Sequence, residues 1–256
     1  MSRLQRQRRR SAGRSARGFT FVEIMIAIAL GLFLIGGLLT LVQAMRRTAT
    51  NQSGLSQLQD NERMAMQLIT DVVQSTGYFT NPVINTAAGE FPAFTYGPAV
   101  FTYAGQAIVG NVGAPDIITT RYQTAGTNFG DNVINCTGNS SSLPASFVNQ
   151  ITVANNYLTC TLWLNNVAQP AVALVPGITN MTVLYGVQTG QGAATNSADT
   201  YLDAGQVTAG NYWNAVKSVQ VTLTFVNPMF GQPGQTSPTI NFTRTIDVMN
   251  KTGVVT

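Results

Sequence analysis

Histidine is absent from the 256-residue chain. That absence removes Ser-His-Asp triads, Cys-His nucleophile pairs and histidine-ligated metal sites from consideration. Charge is scarce too: Asp, Glu, Lys and Arg make up 9% of the residues, against about 25% in an average soluble protein. Asn, Thr, Gln, Ser and Gly take their place, which gives a surface that is polar without being charged. The few carboxylates are scattered, and no acid pair stands at a spacing that argues for general acid–base chemistry. No glycine-rich loop opens a helix in P-loop or dinucleotide spacing. The expectation is a non-enzyme with no cofactor, no metal site and no small-molecule substrate.

The formal charge of +4 is misleading, because Arg3, Arg6, Arg8, Arg9, Arg10, Arg14 and Arg17 all precede Gly18 in a stretch without an acid. Over the rest of the chain seven basic residues face ten acidic ones, a balance of about −3. A DNA- or RNA-binding face needs basic residues on the folded body, so no nucleic-acid partner is expected.

What is present in abundance is a long apolar run. Ile24 to Val42 carries no charge, and as a helix it would be about 28 Å long, close to the roughly 30 Å of bilayer hydrocarbon. The arginines before it outnumber Arg46 and Arg47 after it, which places the N-terminus in the cytoplasm and the remainder outside. An ordinary secretory signal has a shorter apolar region, about 7 to 15 residues, and is cut after it. Here the better junction lies in front of the run. Glu23 stands at the start of the apolar segment, where a carboxylate costs a few kcal/mol unless it finds a partner, so its presence suggests a job. A plain signal anchor with a glutamate tolerated near the headgroups is the alternative.

The junction Gly18-Phe19-Thr20-Phe21-Val22-Glu23 resembles the prepilin motif, in which a basic leader ends at Gly and is followed by Phe-Thr-Leu-(Val/Ile)-Glu. Phe21 replaces the usual leucine. The resemblance implies that a prepilin peptidase cuts between Gly18 and Phe19 and that the new amine of Phe19 is N-methylated. It also implies that Glu23 pairs with the N-terminal amine of a neighbouring subunit during filament assembly, satisfying both charges in an apolar core.

Beyond the membrane run, Leu55, Leu58, Ala65, Ile69 and Val72 recur at helical spacing, with Glu62 on the same stripe. One helix is predicted from Phe19 to about Thr76, ending at Gly77. After Gly77 the pattern changes to short alternating segments separated by Gly, Asn and Pro. Ser218 to Val226 is the clearest strand; the others are Asp116 to Tyr122, Asn149 to Ala154, Tyr157 to Leu164, Thr179 to Val187 and Thr239 to Val248. Asn81 to Ala114 and Thr189 to Tyr212 read as loops, and Gly186, Gly190 and Gly192 as turn glycines. The expected architecture is α+β, a long N-terminal helix whose first half spans a membrane and whose second half packs on an antiparallel sheet. The expected division is a leader over 1–18, a helix over 19–77 with its membrane span near 24–42, and a β-rich body over 78–256.

Cys136 and Cys160 enclose a Gly/Ser/Asn-rich segment on the exported side, where a disulfide is the natural reading. Two free thiols are the alternative; zinc is disfavoured with two soft ligands and no histidine.

Asp116-Ile117-Ile118-Thr119-Thr120-Arg121-Tyr122, Asn135-Cys136-Thr137-Gly138, Leu158-Thr159-Cys160, Leu174-Val175-Pro176-Gly177-Ile178 and Met181-Thr182-Val183-Leu184-Tyr185-Gly186-Val187 together resemble the PilW family of minor pilins. Relatives often place aspartates after Tyr-Gly-Val, whereas Gln188 to Ala198 has none, so no calcium-type site is expected there. The resemblance implies a minor pilin in type IV pilus assembly or priming, serving motility, adhesion or DNA uptake. Its partners would be other major and minor pilins, the prepilin peptidase and the inner membrane. The implied location is a single-pass inner-membrane form with a periplasmic body, followed by the pilus. A J-type minor pseudopilin of a type II secretion system shares these features. A surface adhesin, with Tyr201, Tyr212 and Trp213 as a sugar-stacking face, is a reading of another class.

Overall fold

The computed structural model describes residues 18–190 and 197–249. The arginine-rich leader up to residue 17, Gly192 and the C-terminal end lie outside the described residues. The chain divides into two compact units, residues 1–50 and 51–256.

Helix α1 covers Phe21–Gln74. Within the first unit its side chains from Ile24 to Val42 are exposed, Gly31 alone being half-buried. Within the second unit the predicted stripe is the buried one: Ala65, Met66, Ile69 and Val73 are fully inaccessible, with Leu58 and Val72 nearly so. Leu55 and Glu62 stay half-buried at its margin. The helix ends at Gln74, two residues short of the predicted Thr76, and a turn through Gly77, whose φ of 77° suits glycine, closes it. The Gly77 N–H then donates to the Arg121 carbonyl at 3.0 Å, tying the helix end to the sheet.

The remaining elements are, in chain order, α2 (Ala87–Glu90), β1 (Phe94–Tyr96), β2 (Ala99–Phe101), β3 (Ile108–Asn111), β4 (Ile117–Thr124), β5 (Ala145–Ala154), β6 (Tyr157–Leu164), β7 (Val167–Ala168), β8 (Val172–Pro176), β9 (Ile178–Val187), β10 (Thr200–Leu202), α3 (Ala204–Ala209), β11 (Val216–Val226) and β12 (Thr239–Asp247). Two main antiparallel sheets form where the sequence predicts one. One runs β3-β4-β5-β6-β7, with β8 also on β6; the other runs β10-β9-β11-β12. β1 and β2 make a small hairpin. The α+β architecture stands, with the second half of α1 packed on antiparallel sheets.

Asparagine makes several of the tight connections. Asn155 and Asn156 between β5 and β6, and Asn165 and Asn166 between β6 and β7, all take positive φ between 48° and 67°. Two-residue hairpin loops demand that conformation, and asparagine tolerates it better than other side-chain-bearing residues. β11 shows the expected alternation: Val219, Val221, Leu223 and Phe225 are buried, while Gln220, Thr222 and Thr224 are half-exposed.

Two segments depart from expectation. Asn81 to Ala114 holds α2 and β1 to β3, and Thr189 to Tyr212 holds β10 and α3. These strands are three or four residues long, too short to show a period. The signal that was available is Asp203-x-x-Gln206, a capping box in which the Asp203 side chain accepts from the Gln206 N–H while the Gln206 side chain reaches back.

Two buried charges join the parts. Asp116 at the start of β4 accepts from the Gly113 and Val183 N–H groups at 2.8 Å each, and its own N–H donates to the Met181 carbonyl at 2.9 Å. It therefore stitches β4 of one sheet to β9 of the other. Arg121, 2% exposed, donates to the carbonyls of Gln106, Pro92 and Phe91 at 2.6, 2.7 and 3.0 Å. Its guanidinium lies 4.3 Å from the Phe101 ring centroid and 5.3 Å from that of Phe91. Burial lowers its pKa to about 10, so it stays protonated at neutral pH.

Two buried tyrosines contrast. Tyr122 donates to the Ile134 carbonyl at 2.6 Å; the Tyr185 hydroxyl is buried without a hydrogen-bond partner among the described residues. Burial raises the pKa of both.

Arg121→Met removes every donor while keeping apolar bulk, and should cost about 3 kcal/mol in urea denaturation, because three carbonyls lose their partner. Tyr122→Phe should cost about 1 kcal/mol, whereas Tyr185→Phe should leave stability unchanged or higher. Both tyrosines bind their proton more tightly when folded. Stability should therefore be complete below about pH 10 and fall as pH rises beyond it. Each Phe variant should show a smaller loss than the parent between about pH 8 and pH 11.

Candidate functional site

Gly18, Phe19 and Thr20 precede α1 without helical structure, and all three are exposed, Phe19 at 78%. Glu23 lies in the first turn. Its N–H donates to the Thr20 hydroxyl at 3.3 Å, so Thr20 acts as the cap that starts the helix. The carboxylate is thereby placed at the positive end of the helix dipole, which favours a negative charge there. The Thr20-x-x-Glu23 spacing had this second meaning in the sequence as a capping-box pattern. Gly18, Phe19 and Glu23 thus lie within one exposed, six-residue stretch at the head of an apolar helix.

Cys136 and Cys160 form a disulfide, closing a separation of 24 residues. Cys160 sits in β6, opposite Ile151 of β5, and both cysteines are buried. The Cys136 N–H donates to the Asn149 side-chain oxygen at 2.8 Å, so the bridge and a buried amide together pin the loop to the sheet. Asn135 organises the turn beyond: its side-chain oxygen accepts from the Thr137 N–H and hydroxyl at 2.9 and 2.6 Å. Asp131 holds the preceding turn by accepting from the Ala125 N–H at 2.8 Å and the Tyr78 hydroxyl at 3.3 Å.

The Tyr-Gly-Val segment is structural. Tyr185 points inward and stacks edge-to-face on Trp213, with ring centroids 4.9 Å apart. A side chain at Gly110 would collide with the Tyr185 ring, so glycine at 110 makes room for it. On the opposite face Gly186 lies beneath Tyr201, whose hydroxyl meets the Ser218 hydroxyl at 3.1 Å. Gly186 is therefore a mid-strand glycine covered by a cross-strand aromatic, not the turn glycine expected from sequence. Gly190 takes a positive φ of 81° at a bend after β9.

The three aromatics considered for sugar stacking do not make one exposed face. Trp213 is 2% exposed and belongs to the core, Tyr212 is half-buried, and Tyr201 is 41% exposed. Most of the stretch from Gln188 to Ala198 lies outside the described residues.

An exposed leader junction, an apolar helix headed by an acid, and an antiparallel body packed on that helix's second half define a pilin-class protein. Two family comparisons agree: residues 13–39 match the prokaryotic N-terminal methylation motif, and residues 146–251 match type IV pilus-assembly protein W. Together the two matches support a type IV pilin of the PilW family, the PilW match lying in the C-terminal part of the body. Pilin families are structural subunits, and the methylation motif carries with it processing by a prepilin peptidase and association with other pilins. No curated protein and no solved structure gave a match.

Replacing Cys136 and Cys160 together by alanine should cost about 3 kcal/mol in the chain-entropy account of a loop this long. Thermal unfolding of oxidised parent, reduced parent and double variant checks this: the last two should melt together, well below the first.

Proposed function

We propose that this chain is a minor pilin that enters a type IV pilus, in a priming or tip assembly with other minor and major pilins. The carrying observation is the position of Glu23, in the first turn of an exposed apolar helix and five residues from Gly18. A prepilin peptidase cuts between Gly18 and Phe19 and methylates the Phe19 amine. The freed amine of one subunit then meets the Glu23 carboxylate of another, and each charge offsets the other's cost of leaving water.

Before assembly the apolar stretch from Ile24 to Val42 holds the protein in the inner membrane. The arginine cluster keeps the N-terminus cytoplasmic and the body periplasmic. The match to a pilus-assembly family favours a pilus over a secretion pseudopilus. The role is mechanical: no residue is assigned to catalysis.

Intact mass and N-terminal sequencing, with and without a co-expressed prepilin peptidase, test the reading. The expected product begins at methylated Phe19 only when the peptidase is present; an uncut chain, or cleavage beyond Val42, would overturn it. Glu23→Ala should be processed normally yet fall at least about tenfold in recovery from sheared pili, a loss of about 1.4 kcal/mol or more per subunit contact.

A further inference from the structure

The disulfide-tethered loop does more than close a turn: it forms one wall of a groove of 580 Å³ on the six-stranded sheet. That volume falls within the range of about 300 to 1,000 Å³ typical of small-ligand clefts. The accessible apolar surface comes from the half-buried Leu164 and the exposed Pro170 and Val172, while Phe147, the cross-strand partner of Leu164, and Leu162 lie beneath them in the core. The loop wall offers Asn139, Ser140 and Ser142, and the far wall offers Gln169, Pro170 and Val172.

Three features narrow what could lie there. No residue lining the groove is charged, so a phosphate, a sulfated chain or an acidic peptide would meet no counter-charge. The Ser140 and Ser142 hydroxyls are exposed and hold no hydrogen bond among the described residues. Each can both donate and accept, which matches a ligand made of hydroxyl groups. The apolar surface beside a neutral polar wall suits the two surfaces of a pyranose ring, a C–H face and an equatorial hydroxyl rim.

The wall is also set in advance. The Thr137 hydroxyl donates to Asn135 and accepts from the Asn139 amide at 2.9 Å, the Leu143 N–H bonds the Ser141 hydroxyl at 3.3 Å, and Cys136 is locked to Cys160. The course of the loop is therefore fixed before a ligand enters, which lowers the ordering cost of binding and favours affinity.

We propose that the groove between the 135–142 loop and β6 binds a neutral oligosaccharide. This site is separate from the aromatics excluded above, and it does not depend on the filament reading: binding is measured on the unassembled chain, where failure of processing has no effect.

The test is isothermal titration calorimetry of the full-length chain in an amine-oxide detergent, free of sugar, with maltohexaose, cellohexaose and chitohexaose. At least one should bind with a Kd of about 1 mM or tighter. Ser142→Leu, which removes a hydroxyl and fills the groove at an exposed position, should weaken it at least about tenfold, with the melting temperature unchanged. Ser140→Ala, which only removes a hydroxyl, should weaken it by a smaller factor. Absence of binding by all three, equal binding to the Ser142→Leu variant, or tighter binding of a heparin hexasaccharide would each overturn the proposal.

Discussion

The second half of α1 carries the interaction on which the body depends. Its stripe of Leu58, Ala65, Met66, Ile69, Val72 and Val73 belongs to the same hydrophobic core as Tyr122 and Phe147 from one sheet and Val183, Val221 and Phe225 from the other. Each fully buried large side chain in such a stripe contributes about 1.5 to 3 kcal/mol. Without the helix, both sheets would expose their inner faces. One helix thus carries a membrane-compatible segment in its first half and packs the core of the body with its second half.

A body with so little charge needs other ways of holding its polar groups. Asp116 spends its carboxylate on backbone N–H groups, and Arg121 spends its guanidinium on backbone carbonyls and aromatic rings. Charge-assisted bonds of this kind are about twice as strong as neutral ones. They therefore fix the position of β4 against β9 and against the α2–β3 segment. On the outside, Thr222 and Thr243 pair hydroxyls across β11 and β12 at 2.8 Å, a neutral substitute for a cross-strand ion pair.

The long elements were readable because their periods are strong. The stripe on α1 appears at helical spacing from Leu58 to Val72, and β11 alternates from Val219 to Phe225 without interruption. Tyr157 to Leu164 coincides with β6 at both ends. What escaped was set by distant partners. Trp213 looks like a surface aromatic until Tyr185 is placed against it, and Gly186 looks like a turn until Tyr201 is seen to cover it. The division into two sheets was hidden because the same alternation serves either sheet; the pairing of β9 with β11 rather than β8 decides it. At the candidate site, the junction and Glu23 were legible as a motif, while the groove beside the disulfide needed β5, β6 and the loop to be assembled first.

The acceptors of Arg121 are main-chain oxygens, and this has a consequence for which substitutions the fold tolerates. A carboxylate partner disappears with one substitution, but the carbonyls of Pro92 and Gln106 persist whatever side chains those positions carry. Drift in the segment from α2 to β3 can therefore redraw the surface while the arginine goes on gripping the same backbone. One buried cation thus leaves the side chains around it free to change without loosening the backbone it holds.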